Sequence, residues 1–251
     1  MTGHIASLSR RAIALAALLP TDNHTYLARW LYRYGTLPRG TVLERDFGAG
    51  DDVLAVLGLT SGGRARTVLD RHYETTTYPG WIGFALATAP LSAVPTCKLY
   101  VSPRPEALAD AFPIIATVFD AMSVRAFKVG RGLDGLLRPD KIVAHFDSAA
   151  HLQAVAGQLG AALPGCPAQG VPFTTEFGSD GLLSWGIDPP LGAEAVSWRS
   201  WVTKRLATAL LIAAPDGSDR LGAVLNQMAR SGVSPSNWTI DSHGFAAEAP
   251  G

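Results

Sequence analysis

Lysine stands inside two short runs that otherwise read as buried β-strands. Cys97-Lys98-Leu99-Tyr100-Val101 and Phe127-Lys128-Val129-Gly130-Arg131 each place an ammonium among apolar residues. A third segment, Arg138-Pro139-Asp140-Lys141-Ile142-Val143, again brings cations to the start of an apolar run. An unpaired charge is expensive to bury, so residues of this kind are paired or used. The pattern points to an anion site built on strands.

Strand geometry says which side chains can share that site. Alternate residues of a strand point to one face. Lys98 and Tyr100 therefore share a face, with Leu99 and Val101 on the other, and Lys128 lies opposite Phe127 and Val129. If the two strands are neighbours, Lys98, Tyr100 and Lys128 line one surface. Adjacent cations and partial burial both lower a lysine's pKa, which makes such a lysine able to act as a general base.

The rest of the chain sets bounds on this reading. The 251 residues, 47% of them hydrophobic, suffice for one large domain or two small ones. With 21 basic and 21 acidic residues, nothing calls for a nucleic acid or a membrane surface as partner. No apolar run reaches the roughly 18 to 20 residues of a membrane helix. Cys97 and Cys166 make neither a zinc pattern nor a disulfide framework and fit reduced thiols in a cytoplasmic protein. The chain has no Walker loop, GxGxxG, HExxH, G-x-S-x-G or Cys/His ligand cluster. Neither a metal nor a cofactor is expected.

In chain order, residues 10–19 read as an alanine-rich helix ended by Pro20, in preference to an export signal behind Arg10-Arg11. A second helix, capped near Asp22 or Asn23, carries Tyr26, Leu27, Trp30, Leu31 and Tyr34 at helical spacing. Residues 51–58 fit a short helix or strand, 64–78 are ambiguous, and 81–87 read as a strand after a turn at Tyr78-Pro79-Gly80. Strands are then expected over 96–101, 125–129 and 140–146, with helices over 106–122 and 151–163. Helices over 197–214 and 220–230 follow an apolar run that must stop at Pro189-Pro190. The expected fold is α+β: a central mixed or antiparallel sheet with helices packed on it, preceded by a helical N-terminal segment. The division reads as 1–88 for that segment, a possible peptide-gripping region, 89–240 for the α+β domain and 241–251 for a tail, with 85–95 as linker or long loop.

Arginines supply planar forks of donors suited to phosphate or carboxylate. Arg131, Arg138, Lys141, Arg199 and Arg205 are the candidate phosphate or substrate ligands, beside Lys98, Tyr100 and Lys128 as candidate catalytic groups. A base lysine beside a phosphate clamp is what β-elimination of a phosphorylated Ser or Thr requires.

At these residues the chain resembles the phosphothreonine lyase superfamily, which includes type III secretion effectors and the lyase domains of lanthipeptide synthetases. The family pattern is a Lys-x-His strand, a helix, a Phe/Trp-Lys-Val strand, an arginine some way on and further arginines near the C-terminus. Here these become Lys98-Leu99-Tyr100, Phe127-Lys128-Val129, Arg138, and Arg199 with Arg205. The resemblance, over about residues 96–210, implies Lys128 as the base for the α proton and Lys98 as the group facing the enolate. It implies Arg138 and Arg199 as phosphate ligands, with Arg205 the less certain partner. Tyr100 stands where the family has its acid histidine, which implies a variant lyase or loss of the reaction.

The implied substrate is the phosphoSer or phosphoThr of a ribosomal precursor peptide, the product dehydroalanine or dehydrobutyrine, and the partner a separate Ser/Thr kinase of a bacterial pathway. Three other readings stay open: a non-catalytic module binding a phosphorylated or modified peptide, a prenyltransferase-like αβ barrel, and a structural subunit with its strand lysines in water.

Overall fold

The computed structural model describes residues 3–47, 53–87, 97–189, 197–213 and 219–239. The elements follow one another as α1 (His4–Ala16), α2 (His24–Arg33), α3 (Thr41–Phe47), α4 (Val53–Val56), α5 (Arg64–Leu69), β1 (Tyr73–Tyr78), β2 (Trp81–Leu86) and β3 (Cys97–Val101). Then come α6 (Leu108–Ala121), β4 (Ala126–Gly130), α7 (Gly132–Leu137), β5 (Ile142–Phe146), α8 (Ala149–Ala162), β6 (Thr175–Phe177), β7 (Leu183–Ile187), α9 (Trp198–Ile212) and α10 (Arg220–Arg230). The strands form an open sheet in the order β1-β2-β4-β5-β3-β7-β6. The pairs β1–β2, β2–β4, β4–β5 and β5–β3 are antiparallel. The fold is therefore α+β on an antiparallel sheet, and the open sheet rules out the αβ barrel.

Two compact units divide the chain: Gly35–Val171 with Asp180–Trp185, and Met1–Tyr34 with Pro172–Ser179 and Gly186–Gly251. The expected boundary at 88/89, Pro190 and the tail 241–251 lie outside the described residues.

The first unit is organised by the period-two pattern of its strands. Leu99 pairs with Ala144, Ala144 with Phe127, and Phe127 with Phe84, so one face of the sheet is continuously apolar. Phe84 stacks on Phe127 with centroids 4.7 Å apart, while Tyr73 and Phe119 meet the same ring. Helix α8 packs on β3 and β5, and α6 on α8. Ser148 caps α8 by accepting from the His151 amide at 3.3 Å. Helix α7 was not expected, because Gly-Leu-Asp-Gly-Leu-Leu carries two poor helix formers. It forms where Gly130 and Gly135 let strand and helix backbones touch: a Cβ on Gly130 would lie 2.3 Å from the Gly135 carbonyl oxygen.

The other unit is a helical cluster with its own core. Asn23 caps α2 by accepting from the Tyr26 amide at 2.9 Å. The buried face of α2 is Leu27, Ala28 and Leu31, while Tyr26 stays 51% exposed, so the aromatic stripe is only partly core. Helix α1 begins six residues before the expected start, since Ile5, Ala6 and Ser9 continue the buried face of Ala12, Ile13 and Ala16. Trp198 is 1% exposed and donates from Nε1 to the Phe173 carbonyl at 2.8 Å. Phe173 itself adopts φ 64°, a region unfavourable to bulky residues. It is held there by the Trp198 bond, by its amide donating to Ser9 Oγ at 2.8 Å, and by an edge contact with Trp238 at 5.1 Å.

Candidate active site

The second face of the sheet carries the cations. Three rows of side chains cross it. In the first, Lys98 of β3 stands opposite His145 of β5, which stands opposite Ala126 of β4. In the second, Tyr100 pairs with Val143, Val143 with Lys128, and Lys128 with Gly83. In the third, the Lys141 carbonyl accepts from Gly130, and Gly130 pairs with Trp81. Lys98, Tyr100 and Lys128 thus share one face, although their strands are not neighbours. Strand β5 lies between β3 and β4 and contributes His145 to the middle.

Local geometry tunes each group. Lys98, Lys128 and His145 are half-buried, while Tyr100 is 3% exposed and packs with Val143, Val171 and Trp81. The Lys128 ammonium lies 4.3 Å from the centroid of the Trp81 ring, and the Arg138 guanidinium 4.7 Å from it. An aromatic face attracts cations, so Trp81 holds two of them at one place. Gly83 beside Lys128 lets the Tyr78 ring lie close over the strand; a Cβ there would meet that ring at 2.9 Å. Burial and the charges of Lys98 and Lys128 push the His145 imidazole down to about 3, so it is neutral at pH 7. Arg138 donates to both oxygens of buried Asp140, at 2.9 and 3.0 Å, which fixes its planar fork.

The remaining candidates are placed elsewhere. Arg131 is exposed at the start of α7. Lys141 is fully buried and donates to the Pro103 carbonyl at 2.8 Å and Gln169 Oε1 at 2.5 Å. Gln169 in turn donates to the carbonyls of Gly35 and Leu137. Burial pushes the Lys141 ammonium down to about 7. Its ammonium therefore ties loops together and does not present itself as an anion ligand. Arg199 and Arg205 belong to α9 in the helical unit. Arg199 is 1% exposed, stacks 4.5 Å from the Tyr32 ring centroid and donates to the Tyr32 carbonyl at 2.7 Å. Arg205 lies 3.6 Å from the Trp201 ring centroid.

Sequence reasoning passed over Trp81 and His145. Alternation within residues 140–146 already sets Lys141, Val143 and His145 on one face. What it lacks is the strand order that carries that face to Lys98 and Lys128.

No protein-family model matches this sequence, and no curated protein does. Solved structures do resemble it. The effector protein from Pseudomonas syringae pv. tomato strain DC3000 matches with a TM-score of 0.61 at 12% identity, over 94% of this chain and 98% of its own. The effector protein from Pseudomonas syringae pv. syringae strain 61 matches with a TM-score of 0.55 at 12% identity, over 95% and 98%. This chain shares their fold. The type III effector/phosphothreonine lyase OspF from Shigella flexneri matches with a TM-score of 0.41 at 12% identity, over 57% of this chain and 78% of its own.

Among the described residues, no helix is long and apolar enough to cross a membrane, and no group of three or more His, Cys, Asp or Glu could hold a metal ion.

Proposed function

We propose that this protein is a carbon–oxygen lyase that eliminates phosphate from phosphoserine or phosphothreonine in a ribosomal precursor peptide. The products are dehydroalanine and dehydrobutyrine, as in lanthipeptide maturation. The observation that carries the reading is the single sheet face on which Lys98, Tyr100 and Lys128 stand, with Trp81 gathering Lys128 and Arg138.

The chemistry uses these groups in sequence. Lys128 first gives its ammonium proton to solvent and then, as the free amine, takes the Cα proton. The ammonium of Lys98 faces the carbonyl oxygen on which enolate charge develops, where a fixed charge in a poorly solvated site acts most strongly. The Cβ–O bond breaks and its electron pair leaves with the phosphate, whose oxygen takes a proton from the site, in the family pattern from the place held by Tyr100. Arg138, whose fork Asp140 fixes, is assigned to the phosphate. Electrons balance without a redox partner, so the step calls for no cofactor. A separate Ser/Thr kinase in the same bacterial cytoplasm supplies the phosphorylated peptide. A groove between α2 and α9, lined by Arg29, Tyr32, Ser197 and Lys204, suits the unmodified part of that peptide.

The test is mass spectrometry of a phosphothreonine peptide incubated with the wild type and with Lys128→Ala. Loss of phosphoric acid in the wild type alone supports elimination and its base. Retained phosphate with both proteins, on a cognate precursor as well, refutes the lyase; persistent binding of that peptide would then make the protein a phosphopeptide-binding module.

A further inference from the structure

We infer that His145 is the acid of this site, protonating the phosphate oxygen as the Cβ–O bond breaks, a role that rests on the lyase reading above. Three observations lead to it. His145 stands directly opposite Lys98, where paired side chains have Cβ atoms about 4.5–5.5 Å apart. It is also diagonal to Lys128, which faces Val143 two residues along β5. A phosphoryl group drawn to either lysine meets the imidazole.

Second, its ring is uncommitted. His24 bonds to the Lys204 carbonyl, His72 to Asp120 and His151 to the Met122 carbonyl. The His145 ring makes no hydrogen bond or ion pair among the described residues, though it is half-buried on the polar face. Third, Tyr100 suits the role poorly. It is 3% exposed behind Trp81, Val143 and Val171, and a phenol with a pKa of about 10 gives up its proton reluctantly at neutral pH.

The imidazole is held neutral in the free protein first by burial, then by the charged groups that face it, Lys98 from β3 and Lys128 from β4. A phosphate dianion among them reverses that field. Each pKa unit corresponds to about 1.4 kcal/mol of differential interaction, a scale that close charge pairs reach in a poorly solvated site. The substrate thus loads its own acid: His145 takes a proton from solvent as the phosphoryl group enters. During elimination the Cα proton passes to Lys128 and the imidazolium proton passes to the departing oxygen. The imidazole returns to neutral, Lys128 loses its proton to solvent, and hydrogen phosphate leaves.

Imidazole NMR of the wild type at pH 7, titrated with inorganic phosphate, reads the loading step. Protonation of His145 is expected, and Lys98→Met should raise its titration in the free protein above about 3, with burial still holding it below the ordinary value. An imidazole that stays neutral with phosphate bound overturns the inference. On a phosphothreonine peptide, His145→Gln is expected to slow elimination by about 10²–10⁴-fold. An active wild type with a fully active His145→Gln overturns the acid role and leaves the lyase standing. A wild type that eliminates nothing overturns both. Should His145→Gln fail to fold, the wild-type NMR titration decides.

Discussion

The Lys128 ammonium and the Trp81 ring are 4.3 Å apart, and Arg138 shares the same ring at 4.7 Å. Two like charges are thereby held at one place by the negative face of an aromatic, which offsets part of their mutual repulsion, while Asp140 pairs the Arg138 fork. Trp81 thus draws both cations to one place without a charge of its own, and Asp140 fixes the orientation of the Arg138 fork.

Replacing Trp81 tests that arrangement. Trp81→Leu removes about 0.5–2 kcal/mol of cation–π interaction per cation. Affinity for a phosphothreonine peptide should fall several-fold by calorimetry, and Trp81→Phe should keep much of it. Unchanged affinity in Trp81→Leu would show that the ring does not position the cations.

Gly130 and Gly135 bring β4 and α7 into backbone contact just past Lys128. Gly130→Ala puts a Cβ 2.3 Å from the Gly135 carbonyl oxygen, and backbone on both sides leaves little room to yield. Overpacking of this kind costs about 1–3 kcal/mol. Urea unfolding should show that loss, whereas Gly157→Ala in α8, with nothing within 4 Å of the new methyl, should be neutral or stabilising by up to about 1 kcal/mol.

Lys141 predicts a pH dependence of stability. Its folded pKa is pushed down to about 7 from 10.5, mainly by burial. Between those values the unfolded chain binds more protons than the folded one, so stability rises as pH increases from about 7 toward 10.5. Below about 7 both states are protonated and the burial penalty is felt in full. Lys141→Met should abolish this rise. It should also lower stability at every pH, because the Pro103 carbonyl and Gln169 Oε1 lose their donor. Chemical denaturation at several pH values measures both effects, and a rise of equal slope in the variant would refute the assignment.

How much of this was legible in the chain depends on the range of the physics. Local alternation alone sets Lys98 and Tyr100 against Leu99 and Val101, because successive Cβ atoms of any strand point to opposite faces. Local capping alone starts α2 at Asn23, α8 at Ser148 and α9 at Ser197, since a side-chain oxygen near an unbonded amide needs no distant partner. The α+β class follows from the same local patterns. Which strands become neighbours is decided by burial of the whole apolar face, a property no single segment carries. That choice inserts β5 between β3 and β4, brings His145 to Lys98 and sets Trp81 beside Lys128. Burial also separates cations that look alike in the chain: the Lys141 ammonium is spent on Pro103 and Gln169 and the Arg199 fork on Tyr32, while Lys98 and Lys128 keep to the polar face. The sequence by itself determined which side chains can share a strand face. Only the tertiary structure decided which of them meet, because desolvation and pairing depend on atoms far away in the chain.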